Sequence, residues 1–228
     1  MIKYFMSDYL VSVKKYNQKL VELPIKKRIE TQYPILIRDE VSKKLAKVSF
    51  KLPKNLKLQI NGGYRSRKTQ EKIWNYRLKQ FKNYKNTRKL VFDPKEGIPP
   101  HSTGGAVDIG LFNIKTNREI NLSNPFQKFY EEANPFSKKI SRESHKQRML
   151  IRKLMLNENF APNPREYWHF SYGDKAWADF YKKKILYSEI YEEEISNLKY
   201  NLLKRFVIKI HRKIFQLINK IFKLDLSY

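Results

Sequence analysis

Two segments that lie far apart in the sequence constrain the fold most, because together they carry the residues of a divalent metal site. The first segment contains His101 and Asp108, and the second contains Glu166 and His169. Two histidines and an aspartate suit a metal ion that keeps one coordination position open. Glu166 precedes the second histidine by three residues, where it could transfer a proton. The hypothesis requires a fold that brings both segments to one point.

The residues after His101 predict a tight turn followed by a strand. Gly104 and Gly105 allow the backbone to bend closely around an ion. Residues 106–111 then read Ala-Val-Asp-Ile-Gly-Leu, so a strand would direct Asp108 and small residues to one side and aliphatic residues to the other. The Asp108 carboxylate would face a cavity, and the aliphatic side chains would face a core.

Each half of this site also has an ordinary structural explanation. A histidine near an aspartate is often only a surface pair, and the aromatic residues around His169 are typical of a core strand with a hydrogen-bonded histidine. The other histidines are poorly placed, because His145 lies on a predicted helix without a suitable carboxylate and His211 lies in a basic tail. On residue types and spacing alone, both interpretations stay open.

The composition limits the chemistry of the site and its partners. The 228 residues include no cysteine, so a metal must be held by histidine and carboxylate groups. The formal charge of +26 is typical of proteins that bind nucleic acid or anionic membranes, and also of lysine-rich proteomes. No zinc-finger, RNP-type or Walker pattern accompanies the charge, so nucleic acid is not the expected partner.

Neither a signal peptide nor a membrane-spanning segment is evident in the sequence. The N-terminus lacks an apolar run followed by small residues, and no stretch of about eighteen apolar residues occurs. We therefore expect a cytoplasmic protein, with peripheral attachment to a membrane as the alternative.

Hydrophobic periodicity predicts an α+β fold, in which helices pack against a small, mostly antiparallel sheet. A helix with apolar residues at three- and four-residue steps is expected to end at Leu52, before a strand over residues 56–60. Ser66 is the expected N-cap of the next helix, whose apolar face would run from Ile73 to Phe81.

The second half of the chain is predicted to alternate between loops and regular elements. Residues 82–100 are expected to form a loop, and residues 113–142 a long surface excursion that acts as a lid. Ser144 is the expected cap of a third helix, and residues 166–170 the last strand.

The C-terminal tail, residues 198–228, predicts a basic amphipathic helix. Apolar residues recur along it at alternating steps of four and three, with lysine and arginine over much of the rest. Three interpretations stay open: a helix on an anionic membrane surface, a coiled-coil helix for self-association, and a helix packed on its own domain.

In their order along the chain, these motifs resemble a known family. The run from His101 to Asp108, the later Glu166-x-x-His169 and an upstream Gly63-Tyr64-Arg65 are similar to the zinc D-alanyl-D-alanine dipeptidases of the VanX type. VanY-type D,D-carboxypeptidases share much of the pattern. The resemblance covers roughly residues 35–180, most of the chain.

The resemblance implies a function for each of these residues. His101, Asp108 and His169 would bind one zinc ion, Glu166 would be the general base toward a zinc-activated water, and Arg65 would stabilise charge at the scissile carbonyl. Other than these protein ligands, no cofactor-binding residues are implied. Three residues depart from the family pattern near the presumed pocket, and these are Gly62, Ser66 and Pro99.

The expected organisation follows from the resemblance and the tail. An N-terminal arm over residues 1–33 packs on a zinc peptidase domain over residues 34–197, and the helix of residues 198–228 follows. The expected substrate is a small peptide, D-Ala-D-Ala, and the alternative is a longer peptidoglycan stem peptide cut by a D,D-carboxypeptidase. A non-enzymatic basic protein that binds membrane or nucleic acid is the second alternative.

Overall fold

Short strands from three parts of the chain join into one sheet that carries the functional residues. The computed structural model describes residues 20–24, 28–123 and 131–191. The strands are β1 Leu20–Glu22, β2 Ile29–Thr31, β3 Leu36–Arg38, β4 Leu56–Gly62, β5 Ala106–Asn113, β6 Arg118–Glu119, β7 Ala161–Pro162 and β8 His169–Ser171. The α-helices are α1 Asp39–Lys51, α2 Arg67–Phe81, α3 Tyr84–Leu90, α4 Arg142–Asn157 and α5 Lys175–Tyr181, and 3-10 helices lie at Pro100–Thr103 and Glu131–Ala133.

The main sheet has the strand order β2-β4-β5-β8-β7, and β6 pairs with the end of β5. Every pair in it is antiparallel except β2 with β4. Strands β1 and β3 form a separate antiparallel pair. The predicted α+β fold with a mostly antiparallel sheet is therefore confirmed.

The core forms where the apolar face of α1 meets the apolar face of the sheet. The side chains in this layer are fully or almost fully buried, and each stabilises the fold by roughly 1.5–3 kcal/mol. They include Val41, Leu45 and Val48 from α1, Leu58 and Ile60 from β4, and Val107, Ile109 and Leu111 from β5. The alternation predicted for residues 106–111 is thus observed, with Asp108 on the face away from this layer.

Other predicted elements differ from the structure in informative ways. Residues 82–100 are not all loop, because Asn83 caps α3 with its side chain, which accepts from the Asn86 backbone. The cap of helix α4 is Ser141, three residues before the expected cap Ser144, because the Ser141 side chain accepts from the Ser144 backbone and Ser144 lies in the first turn. In both places a short polar cap outweighs weak hydrophobic periodicity.

The prediction of an apolar face on α2 was also wrong in part. Ser66 does cap the helix, with its side chain accepting from the Thr69 backbone. However, only Gln70 and Trp74 of the helix are buried, and Phe81 is 39% exposed. Helix α2 lies at the edge of a cavity, described below, so its inner face meets open space instead of core.

Some expectations concern residues beyond the described part of the chain. The described residues from Leu20 to Ile190 belong to one compact unit. The tail predicted as a helix over residues 198–228 lies outside the described residues. Strands β1 and β2 fall within the region expected to be an N-terminal arm, and β2 extends the main sheet. In the described residues, no helix has the length and apolar character needed to cross a membrane.

Arg148 on α4 is buried among backbone carbonyls and is expected to contribute strongly to stability. Its side chain is 1% exposed and donates to the carbonyl groups of Leu122, Glu132 and Asn134. Arg148→Met leaves these acceptors without a donor, so we expect the free energy of unfolding to fall by about 3 kcal/mol. Denaturant unfolding measures the loss, and Arg142→Met on the exposed start of α4 is the control. Equal stability of the two variants would contradict this role.

Candidate metal centre

Backbone contacts fix the orientation of the His101 side chain. It lies in the 3-10 helix Pro100–Thr103, where Pro100 favours the helical start and Gly104 ends it with a positive φ of 71°. The His101 Nδ1–H donates to the Gly63 carbonyl oxygen at 2.8 Å. Because Nδ1 is occupied, Nε2 is the ring nitrogen that faces the site.

Asp108 and His169 are brought together by strand register. They are direct partners in the antiparallel pair of β5 and β8, and cross-strand partners project to the same face of a sheet. His169 Nδ1 donates to Asp108 Oδ1 at 3.0 Å, and His101 Nε2 lies 3.3 Å from Asp108 Oδ2. The three sequence-predicted ligands therefore meet around the Asp108 carboxylate.

The geometry of this group fits a metal ion. One donor atom from each of His101, Asp108 and His169 lies within 4.8 Å of the others, and all three residues are buried. Two ligands placed 2.0–2.1 Å from a tetrahedral ion lie about 3.3 Å apart. The observed separations from the carboxylate oxygens are close to this value. The group can hold a divalent metal through nitrogen and oxygen donors alone.

The protonation of Asp108 and His101 also suits a cation. Burial acts to raise the pKa of Asp108, but the charge and hydrogen bonds of both histidines outweigh it and hold that pKa well below its usual range. Burial lowers the pKa of His101, which favours the neutral ring. Burial would do the same for His169, but its bond to Asp108 raises the pKa instead. Metal ligands must be deprotonated, so a cation would displace a proton from His169.

Glu166 lies beside this group, although not on the strand that the sequence predicted. Strand β8 begins only at His169, and Glu166 belongs to the turn before it. Its Oε2 accepts from Asn163 Nδ2 at 2.9 Å. Burial, partly offset by the charge of His169, raises the pKa of Glu166 to about 7. A carboxylate with such a pKa can take up and release a proton near neutral pH.

Arg65 places a positive charge beside the Asp108 carboxylate. Its Nη2 lies 3.6 Å from Asp108 Oδ2, and its Nη1 donates to Gln70 Oε1 at 3.1 Å. The Arg65 backbone N–H donates to the His101 carbonyl at 3.1 Å. The Gly63-Tyr64-Arg65 run is therefore tied to the His101 turn through both backbone and side chains.

Sequence reasoning missed two residues that orient the charged groups. Gln70 holds the Arg65 guanidinium, and Asn163 holds the Glu166 carboxylate. Asn163 stands between two prolines, which indicates a rigid turn but does not indicate what the amide contacts. His145, which sequence reasoning set aside, lies on α4 and is not part of the group.

A cavity of about 470 Å³ opens over the group. Its lining includes the three residues of the metal group together with Arg65 and Glu166. Cavities of this volume suit small organic molecules and short peptides. All five residues assigned to the site from the sequence therefore face one cavity.

Gly62, one of the departures from the family pattern, is in contact with the Asp108 carboxylate. A bulge in β4 pairs Gly62 with Asp108, and a Cβ at position 62 would lie 2.8 Å from Asp108 Oδ2. In Gly62→Ala the carboxylate must turn away from His101, so we expect metal affinity to fall by about tenfold or more with little change in stability. Metal titration and thermal unfolding measure the two effects. Gly110→Ala is the matched control, because the added Cβ would first meet Asn61 Nδ2, at 3.3 Å, and not the Asp108 carboxylate. Equal metal affinity in the two variants would contradict the expectation.

Comparisons with known proteins place this arrangement in a family. The model of the peptidase M15 family, described as D-ala-D-ala dipeptidase, matches residues 18–189. A D-alanyl-D-alanine dipeptidase of Synechocystis sp. is 32% identical over 96 residues, which is 38% of this chain and 39% of that protein. One of Enterococcus faecalis is 26% identical over 81 residues, 36% of this chain and 40% of that protein. The chain thus spans about two fifths of the length of the curated relatives it matches.

Solved structures with partial similarity include two vancomycin resistance enzymes. The D,D-dipeptidase VanXYg, in complex with a D-Ala-D-Ala phosphinate analog, has 24% identity and a TM-score of 0.45, over 72% of this chain and 62% of that chain. A D,D-pentapeptidase VanY variant in complex with Zn(II) has 16% identity and a TM-score of 0.44, over 75% of this chain and 87% of that chain. The family model covers most of the chain, including every residue of the site, and the chain therefore belongs to the peptidase M15 family of D-ala-D-ala dipeptidases.

Proposed function

We propose that this chain is a zinc-dependent peptidase that hydrolyses D-Ala-D-Ala or a closely related peptide derived from peptidoglycan. The observation that carries the proposal is the convergence of His101, Asp108 and His169 with Glu166 and Arg65 on one cavity. Membership of the peptidase M15 family supports the substrate class. The curated relatives from Synechocystis sp. and Enterococcus faecalis are both named D-alanyl-D-alanine dipeptidases.

The donor set favours zinc as the metal. Two imidazole nitrogens and one carboxylate oxygen, with room for a fourth ligand, are typical of catalytic zinc sites. A zinc ion held by His101, Asp108 and His169 would supply Lewis acidity toward water and the peptide carbonyl. One ion per chain is proposed, since one such group is found among the described residues.

The side chains around the metal group account for the proton transfers of hydrolysis. Glu166 accepts a proton from the attacking water, whose oxygen forms a bond to the amide carbon. The C–N bond then breaks, and Glu166 delivers the proton to the departing amine nitrogen. Arg65 lines the same cavity and lies 3.6 Å from Asp108, so its charge can stabilise the negative charge that develops on the carbonyl oxygen.

Hydrolysis of defined peptides tests the proposal. Purified protein with one equivalent of zinc is incubated with D-Ala-D-Ala, with L-Ala-L-Ala and with a stem pentapeptide ending in D-Ala-D-Ala, and released alanine of either configuration is measured. We expect release from a D,D substrate and none from the L,L dipeptide. If the zinc-loaded protein cuts none of these peptides and Glu166→Gln behaves as the parent does, the peptidase proposal is wrong.

The pH profile should report the ionisation of Glu166. Because the base must be unprotonated and its pKa is raised to about 7, kcat/KM should fall as pH drops through that value. A bound cation favours the ionised carboxylate, so the midpoint should lie at or below about 7. Rates are measured from about pH 5 to about pH 9, with zinc content determined at each pH to exclude metal loss. A flat rate across the acidic range at full zinc occupancy would contradict this assignment.

A further inference from the structure

Ile190, more than eighty residues after His101, contacts the chain neighbours of two site residues. Its backbone N–H donates to the Ser102 carbonyl at 2.9 Å, and its own carbonyl accepts from the Tyr64 hydroxyl at 3.0 Å. Ser102 directly follows His101 in the chain, and Tyr64 directly precedes Arg65. The segment that ends at Ile190 therefore lies against the backbone that carries a proposed metal ligand and the proposed cation.

Glu189, the residue before, is a buried carboxylate that binds Arg67 at two points. It is 8% exposed, and it accepts from Arg67 Nε and Nη2 at 2.8 Å each. This two-point contact is the strong geometry for an arginine–carboxylate pair. The same guanidinium donates to the carbonyl groups of Pro94 and Gly97, in the loop that leads to His101. The ion pair thus joins three remote parts of the chain.

The first turn of α2 connects this ion pair to the Arg65 side chain. Arg67 is the first residue of the helix, and Gln70 follows within the same turn and is buried. Gln70 Oε1 accepts from Arg65 Nη1 at 3.1 Å, while its Nε2 donates to the Phe92 carbonyl at 3.0 Å. A helical turn moves largely as a unit. The position of Arg67 therefore sets that of Gln70 and, through it, the direction of the Arg65 guanidinium.

We propose that Glu189 is a positioning residue for peptide hydrolysis, which acts through Arg67 and α2 to hold Arg65 at the scissile carbonyl. Glu189 is not among the described residues that line the cavity, so it acts without contacting the substrate. A misplacement of about 1 Å can lower a catalytic rate by about 100-fold, so a small shift of α2 is enough to matter. The inference rests on the proposed peptidase function, in which Arg65 stabilises the developing charge.

Glu189→Gln tests the proposal, because it removes the charge of the side chain and nearly keeps its shape. Arg65 acts on charge that develops in the transition state. We therefore expect kcat and kcat/KM for the D,D substrate to fall together by about tenfold, with zinc content unchanged. Glu158→Gln is the matched control, since Glu158 is 7% exposed, pairs with Lys51 at 2.6 Å and is not among the described lining residues. It should retain the kinetic constants of the parent.

A double-mutant cycle shows whether Glu189 acts through Arg65. Arg65→Gln removes the guanidinium, and on that background Glu189→Gln should lower kcat by less than about twofold. A role in stability alone predicts instead the same loss on both backgrounds, because independent effects add. An unchanged kcat in Glu189→Gln, or equal losses on the two backgrounds, would overturn the inference.

Amide hydrogen exchange gives a second reading that needs neither zinc nor turnover. The Arg65 backbone N–H donates to the His101 carbonyl at 3.1 Å, and its exchange rate, measured by NMR, reports how firmly these two segments are held together. We expect this amide to exchange about tenfold faster in Glu189→Gln than in the parent, and at the parent rate in Glu158→Gln.

The two readings separate this inference from the peptidase function. If the parent hydrolyses its peptide and Glu189→Gln has the same kinetic constants, the peptidase function stands and only the positioning role fails. If the parent hydrolyses no peptide, the peptidase proposal fails. Faster exchange at Arg65 in Glu189→Gln then still supports the effect of Glu189 on Arg65, and an unchanged exchange rate overturns it.

Discussion

Replacing His169 with alanine is expected to abolish stoichiometric zinc binding and, with it, peptide hydrolysis. His169 contributes one of the three donor groups, and its Nδ1 lies 3.0 Å from the Asp108 carboxylate. Even residues that only orient a metal ligand change affinity by about 10- to 100-fold when replaced, so loss of a ligand should exceed about 100-fold. Zinc per chain after dialysis, measured by elemental analysis, should fall from about one equivalent to near zero.

A control histidine separates this effect from a general change in the protein. His145 lies on α4, outside the metal group, so His145→Ala should retain zinc and activity. Zinc retained in His169→Ala would contradict the assignment of this ligand. A folded parent protein that never binds zinc would favour the alternative of a non-enzymatic basic binding protein, whose nucleic-acid affinity should then depend steeply on salt.

Replacing Glu166 with glutamine is expected to lower kcat by about 10²- to 10⁴-fold while zinc stays bound. Glutamine has nearly the shape of glutamate, and its amide oxygen can still accept from Asn163. It cannot take a proton from water, so only the transfer step is lost. The kinetic constants on D-Ala-D-Ala and the zinc content of the same sample are the two measurements.

Zinc content decides what a loss of activity in Glu166→Gln means. If activity and zinc disappear together, Glu166 is a metal ligand or a support of the metal group and not the general base. If kcat is unchanged, another group transfers the proton. Glu71→Gln, on the exposed side of α2, is the matched control and should retain both kcat and zinc.

Local sequence patterns predicted the elements in which the spacing of apolar residues decides which side chains face the core. The apolar steps in α1 and the alternation in β5 are confirmed, because each reflects which side chains of one element face the core. The same reasoning was wrong where a single cap decides the outcome, as at Asn83 before α3 and Ser141 before α4. It also placed Glu166 on a strand, because an aromatic run predicts extended structure without showing where pairing begins.

The sequence by itself determined the donor inventory: without cysteine, a metal site must use His101, Asp108, His169 or other oxygen and nitrogen groups. The tertiary structure alone decided that Asp108 and His169 are partners across β5 and β8, that Gly62 leaves space for the carboxylate, and that Glu189 pairs with Arg67. The physical reason is that a residue's type and neighbours set its local conformation and chemistry. Distances between remote segments depend instead on strand register and packing of the whole domain.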